Sequence, residues 1–412
     1  MIEFFYPKPQ DLVPLRSGPL APHLDSFAVC LGQQGYCQAE GRLRIRLVAK
    51  LSQWLVKKRI RLAQLDEHQT ALFLKMRWKT YCHKGGELCT LKLLLRHLRQ
   101  TGVIPVLRRS SVRSSRDRLV EDYEQFLLHL RGLVAGTVKA YLPVLRRFLK
   151  HRFTGHQIRL GQLRAEDADN FILKTSARYG RRTLQTATTV LRGFFGFLLQ
   201  HGRITTPLAN AVPTVNARGL VELPKSLAAT QIRKLLRSCD RRQRTGRRDY
   251  AILMLLARLG LRAGEVAGLD LEDIDWRSGE VLVRGKGRRM DHLPLPHDVG
   301  RAIADYLKTR RSVGSSRKVF LLAKAPYQGF AGSSSVSELV RRSLVRAQLD
   351  PPHKGAHLLR HGLAIRMLQG GASLTQIGQI LRHQLAQTTQ IYAKVDLKAL
   401  RKLAQPWPGG VR

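Results

Sequence analysis

A hexapeptide that returns one unit later constrains this chain more than any other feature. Ile60-Arg61-Leu62-Ala63-Gln64-Leu65 is matched by Ile158-Arg159-Leu160-Gly161-Gln162-Leu163, and Phe73 by Phe171 at the same offset. Leu98, Gly102 and Ile104 then correspond to Leu198, Gly202 and Ile204 after a slip of two residues. Landmarks matched in order over this length read as an internal duplication, one supersecondary unit built twice. The apolar spacing says what that unit is. Val120, Tyr123, Phe126, Leu127 and Leu130 follow the three-four rhythm of one helix face, as do Val138, Tyr141, Leu142, Leu145, Phe148 and Leu149. Leu191, Phe194, Phe195, Leu198 and Leu199 repeat it, so both copies are expected to be small helical bundles.

The faces opposite those stripes carry Lys139, Arg146, Arg147, Arg181 and Arg182 with few acids among them. A merely solvated face mixes both signs, whereas an unbalanced basic one suits phosphates. The whole chain has the same bias: 72 Lys and Arg against 29 Asp and Glu give a formal charge of +43, which calls for a long polyanion as partner. With 43% hydrophobic residues the charge sits on folded material and not on a disordered tail. Thr137, Lys139, Arg181, Arg182 and Gln185 are the candidate groove or phosphate contacts. Phosphate contacts supply affinity without sequence information, so the target stays unread.

Two polar stretches divide the chain. One is the basic, Ser-rich run from Pro105 to Arg118; the other, from Gly202 to Pro224, is broken by Pro207, Pro213 and Pro224. The expected organisation is an N-terminal helical domain over 1–106, its duplicate over 116–205, a linker over 206–224, and a third domain with a tail over 225–412. The longest apolar stretch, Ala251–Leu261, contains Arg258 and is about half of a membrane span of roughly 20 residues. The first residues lack the basic and apolar regions of a secretory signal, so a cytoplasmic protein, nucleoid-associated when bound to DNA, is expected. The spacings of Cys30 and Cys37, and of Cys82 and Cys89, are wider than zinc knuckles use, and reduced thiols are the expected state.

The third domain changes character. A buried-type helix over Tyr250–Leu261 leads into Arg262-Ala263-Gly264-Glu265-Val266. Two short strands then flank Gly285-Lys286-Gly287, a hairpin signal. Helix resumes at His357, stops at Gly370-Gly371, and restarts from Ser373, which with Gln376 forms a capping box. His357 and Arg360 stand three apart at a helix start, hence on one face, near the positive end of the helix dipole. Singly, each of these residues reads as surface charge, structural histidine or packing; the ordered set Arg262, Lys286, His357, Arg360, His383 and Tyr392 is what carries information. Clustered carboxylates for a two-metal site are lacking, as is a Gly-x-x-x-x-Gly-Lys-Ser/Thr loop, so neither metal nor nucleotide cofactor is required.

That ordered set resembles the tyrosine recombinase, or phage integrase, family. Leu261-Arg262-Ala263-Gly264-Glu265 is similar to its first arginine motif and Gly285-Lys286-Gly287 to its hairpin lysine. His357-Leu358-Leu359-Arg360-His361 is similar to its His-x-x-Arg box, and Leu381-Arg382-His383 with Thr388-Thr389-Gln390-Ile391-Tyr392 to its second histidine and nucleophile. The resemblance spans about 116–396 and departs at Arg382, where the family usually has Gly, and at Arg288-Arg289, an unusually cationic turn. It implies a mainly α fold with a small β-sheet, a SAM-like core-binding domain over 116–205 and an α+β catalytic domain. It also implies cleavage through a 3′-phosphotyrosyl bond to Tyr392, with Arg262 and Arg360 on the phosphate, Lys286 protonating the 5′ oxygen, and Glu265 orienting the neighbouring groups. His357 would serve in proton transfer and His383 donate to the phosphate. Partners implied are double-stranded DNA, three further copies making a tetramer on two sites, and accessory or directionality proteins. The extra N-terminal repeat favours a mobile-element integrase or transposase.

Two other readings use the same residues. A type IB topoisomerase shares the chemistry but acts as a monomer without site specificity. A noncatalytic DNA-binding accessory protein would have no need of Tyr392.

Overall fold

The computed structural model describes residues 2–80, 86–105, 114–155, 157–215, 226–285, 289–311 and 316–395. The chain packs as two compact units, one formed by 1–106 together with 222–412, the other by 107–221.

The N-terminal part holds α1 (Ile2–Phe5), α2 (Leu24–Gln33), α3 (Gln38–Lys57), α4 (Glu67–Thr80) and α5 (Glu87–Gln100). The second unit holds α6 (Ser115–Gln125), continued by a π-turn over Phe126–Leu130, then α7 (Ala135–Arg152), α8 (Ala165–Ser176) and α9 (Arg181–Gln200). The matched hexapeptides occupy the same place in each series, as a 3₁₀ turn over Leu62–Gln64 before α4 and over Leu160–Gln162 before α8. Repeated sequence positions have repeated physical jobs. Leu65 and Leu163, Phe73 and Phe171, Leu98 and Leu198, and Ile104 and Ile204 are all buried, each in its own core. Gly102 and Gly202 close the last helix of each series with positive φ, +72° and +63°, a conformation that favours glycine.

The remaining residues form α10 (Ala229–Arg237), α11 (Arg244–Arg258), α12 (Ala263–Gly268), β1 (Ile274–Asp275), β2 (Glu280–Arg284), β3 (Met290–Pro294), α13 (His297–Leu307), α14 (Ser333–Arg346), α15 (His357–Gln369), α16 (Leu374–Ile380) and α17 (Ala386–Gln390). Every residue of α11 from Ala251 to Ala257 is buried, because α10, α12, α13, α14 and α15 pack around it. The three strands make an antiparallel sheet in the order β1-β2-β3, with Ile274 opposite Val281 and Val281 opposite Leu293. Val281 and Val283 turn into the core from alternate positions of β2, as the period of two requires. The expected hairpin is therefore present, and β1 adds a short edge that the sequence reading had not placed. The capping box at Ser373 also forms: its Oγ accepts from the Gln376 N–H at 3.2 Å, and Gln376 Oε1 accepts from the Ser373 N–H at 2.8 Å.

The fold is thus mainly helical with one small sheet, as expected. Among the described residues no helix is long and apolar enough to cross a membrane.

Candidate active site

Five of the six residues in the ordered set lie on four short stretches packed around the end of α11. Arg262 is the N-cap of α12. Glu265, one turn later, reaches back to it twice: Oε2 accepts from the Arg262 backbone N–H and Oε1 from its Nη1, both at 2.8 Å. The contact to the backbone is the returning half of a capping box, so helix termination and orientation of the guanidinium share one carboxylate.

Arg360 sits in the first turn of α15 and is 4% exposed. Its Nη1 donates to the carbonyl of Gly260 and its Nη2 to that of Leu381. Burial, followed by the nearby Arg262 charge, pushes its pKa down to about 10, which leaves it cationic at neutral pH. Gly260 makes the first of those bonds possible. Its φ is +61°, and a Cβ there would come within 2.7 Å of Leu381 and 2.9 Å of Leu363.

The turn after α16 carries Leu381, Arg382 and His383. Arg382 takes the left-handed backbone, φ +55°. Its carbonyl accepts from Arg262 Nη2 at 3.2 Å, while its own Nη2 donates to Glu265 Oε2 at 2.6 Å. Glu265 thereby holds two guanidinium groups at once. His383 has its Nδ1 2.7 Å from Thr389 Oγ1. Burial, then the charges of Arg360 and Arg262, lower its pKa to about 4, so it is neutral.

Tyr392 follows α17 and is only 1% exposed, among Ala364, Ile377 and Leu381. Its hydroxyl lies 2.8 Å from Nδ1 of His361, and its ring stacks on His383 at 6.4 Å and 7°. Burial raises its pKa to about 12, against a smaller lowering by Arg360. Burial, then His357 and Arg360, push His361 down to about 4. His361 was not singled out from the sequence. The available signal was its spacing, four residues after His357 and so on the same helix face. His357 itself is exposed at the start of α15, its ring 6.1 Å from that of His361.

Lys286 lies outside the described residues. Its hairpin is anchored at the base, where Arg284 Nη1 donates to Asp270 Oδ2 at 3.0 Å and to Asp273 Oδ2 at 2.8 Å. A cavity of about 460 Å³ opens between that hairpin and the turn before α17, lined by Arg262, Arg289, Asp291, Arg382 and His383. Cations exceed carboxylates on its walls, which suits an anion.

The five candidate DNA contacts belong to the other unit. Thr137 and Lys139 stand in the first turn of α7, Lys139 exposed; Arg181 and Arg182 are exposed in the first turn of α9. Gln185 is half-buried, and its Nε2 donates to the Val215 carbonyl at 3.4 Å.

Residues 225–398 match the model of the phage integrase family, and residues 120–202 that of the phage integrase N-terminal SAM-like domain. The chain is 44% identical over 393 residues to the integrase/recombinase y4rA of Sinorhizobium fredii, with 95% of each chain covered. It is 29% identical over 311 residues to the tyrosine recombinase XerD of Mycobacterium tuberculosis, covering 70% of this chain and 96% of that one. Among solved structures, the XerH site-specific recombinase in its post-cleavage complex with a palindromic difH substrate superposes with a TM-score of 0.55 at 19% identity, covering 70% of this chain and 85% of that one. The Tn1549 transposon integrase bound to a circular intermediate DNA gives 0.52 at 17%, covering 69% and 99%. Sequence and fold agree: the chain belongs to the phage integrase family of tyrosine recombinases, site-specific recombinases that cleave and rejoin DNA.

Proposed function

We propose that Tyr392 is the nucleophile of this recombinase and that Arg262, Arg360 and His383 hold the scissile phosphate. The observation that carries this is the 2.8 Å contact between Tyr392 and His361 beside two arginines tied to one turn, Arg262 to Arg382 and Arg360 to Leu381. A tyrosine with a pKa near 12 is a poor nucleophile until cations draw off the charge that develops on attack. The guanidinium groups are the donors suited to nonbridging oxygens, and Glu265 orients the Arg262 fork. In the tautomer whose Nδ1 accepts from the Thr389 hydroxyl, 2.7 Å away, His383 carries its proton on Nε2 and can offer it to the phosphate.

In the reaction the Tyr392 oxygen attacks phosphorus and the bond to the 5′ oxygen breaks. Lys286 gives that oxygen its proton, and the tyrosine proton passes to His357. A 3′-phosphotyrosyl ester remains, and attack on it by a 5′ hydroxyl runs the same steps backwards, so rejoining consumes no cofactor. In the described state His361 holds the hydroxyl inside the core, and delivery to DNA exchanges that contact for the phosphate.

The biological setting we infer is a mobile element, acting in the cytoplasm on double-stranded DNA as a tetramer across two sites. The 95% coverage of an integrase/recombinase relative supports the element role. The paired buried landmarks support reading 1–106 as a second copy of the core-binding domain over 116–205, joined through 206–224 to a catalytic domain over 225–412. Thr137, Lys139, Arg181, Arg182 and Gln185 are its proposed DNA contacts.

The test uses labelled DNA spanning the ends of the element around the gene, nicked to trap cleavage, with EDTA present. Wild-type protein is expected to give a covalent adduct on a denaturing gel and Tyr392→Phe none, although both bind. Equal binding with no adduct from either would leave a noncatalytic accessory role.

A further inference from the structure

Arg382 holds a backbone conformation that disfavours any residue with a Cβ. Its φ of +55° lies in the left-handed region that glycine enters without strain and an arginine does not. Such a position persists when the side chain has work that overrides the local preference. The side chain is turned inward, 7% exposed, beside a cavity it shares with Arg262 and His383.

Among the described residues one of its three guanidinium nitrogens has a hydrogen-bond partner. Nη2 donates to Glu265 at 2.6 Å, and Nε lies 3.7 Å from Asp291, too far for a hydrogen bond. Nε and Nη1 are buried without an acceptor among the described residues. Buried guanidinium nitrogens without acceptors are costly, and native proteins rarely leave them so unless a ligand completes the set. Glu265 fixes Arg262 and Arg382 from its two oxygens, which presents two forks to one cavity. Among the described residues that line the cavity the one carboxylate is Asp291, and it is partly exposed.

We propose that Arg382 is a third arginine on the scissile phosphate, donating from its unpartnered Nη1 to a nonbridging oxygen, in addition to Arg262 and Arg360. This rests on the reading of the site as the place of strand cleavage. It makes the turn before His383 a phosphate ligand as well as a support for the histidine.

The test compares wild type with Arg382→Gly, which removes the side chain and suits the left-handed backbone, and with Arg382→Lys. On trapping DNA with an ordinary phosphodiester, Arg382→Gly is expected to form adduct at least tenfold more slowly. On DNA carrying a neutral methylphosphonate at the scissile position, the two proteins should react at nearly the same rate, since the charge Arg382 meets has been removed. A second reading is independent of cleavage. In a Tyr392→Phe background, the slope of log affinity against log salt should fall by about one for Arg382→Gly and hold for Arg382→Lys. Equal slowing on both substrates with an unchanged slope would overturn the proposal and leave Arg382 as a structural partner of Glu265. So would a wild-type rate in Arg382→Gly. If wild-type protein forms no adduct at all, the cleavage reading fails by itself, and the salt slope still decides whether Arg382 meets a phosphate.

Discussion

The hydroxyl of Tyr392 lies 2.8 Å from Nδ1 of the half-buried His361, and the tyrosine ring is packed among Ala364, Ile377 and Leu381. A tyrosine in this place, the proposed nucleophile, cannot meet a DNA strand without leaving it. The hydrogen bond is one of the contacts that keep it there, worth about 1 kcal/mol net for a typical buried pair.

Removing that bond should loosen the store. His361→Phe keeps an aromatic ring but leaves the Tyr392 hydroxyl without this partner, which favours release of Tyr392 from the core by about 1 kcal/mol, or about fivefold in population. The expected result is faster early adduct formation on trapping DNA, by about that factor. A loss of a hundredfold or more would instead make His361 the group that takes the tyrosine proton.

Acid should weaken the fold through the same pair of histidines. His361 and His383 are held neutral, each with a pKa near 4 against an ordinary 6.5. Between those values the unfolded chain binds protons that the folded one refuses, so stability falls as pH drops from about 6.5 toward 4. Melting temperature at pH 5 should lie below that at pH 7, and the gap should narrow in His361→Asn with His383→Asn. At the alkaline end the sign reverses: Tyr392, raised to about 12, keeps its proton in the folded state, so stability falls above pH 10, and Tyr392→Phe should flatten that limb.

Glu265 is the hub whose loss should be felt most. Its side chain is 4% exposed and accepts from the backbone and guanidinium of Arg262 and from Arg382. Glu265→Ala leaves a buried cation unpaired, at about 3–5 kcal/mol. Chemical denaturation should show that loss. Glu265→Gln retains one acceptor and should lie between, with adduct formation reduced in both.

How much of this was legible in the sequence follows from the range of each interaction. The helical copies, the hairpin and the Ser373 cap depend on neighbours within a few residues, so their spacing reported them. The matched Leu98 and Leu198, or Phe73 and Phe171, were readable as core because duplication places the same demand twice. The store for Tyr392 was not, because its partner comes from another helix 31 residues away. Arg382 could be flagged only as a departure. That its side chain turns toward Glu265, 117 residues earlier, is a product of tertiary packing.

The helical unit offers a test of DNA affinity separate from chemistry. Arg181 and Arg182 open α9, exposed beside its positive end. Replacing both with Ala should weaken binding on all duplexes alike and lower the salt slope by about two, while melting temperature stays near wild type. Loss on one sequence only would mark base contact instead.

Gly260 gives the sharpest link between backbone and catalysis. Its carbonyl is an acceptor for Arg360, and its φ of +61° with Leu381 and Leu363 close by leaves no place for a methyl group. Gly260→Ala must either strain the turn or push Leu381 aside, at about 1–3 kcal/mol. Leu381 supplies the second carbonyl to the same guanidinium, so either response disturbs both bonds of Arg360. Adduct formation should therefore fall by more than the loss of stability explains, measured at a temperature where the variant is fully folded. Equal adduct rates there would mean that Arg360 does not depend on this turn for its position.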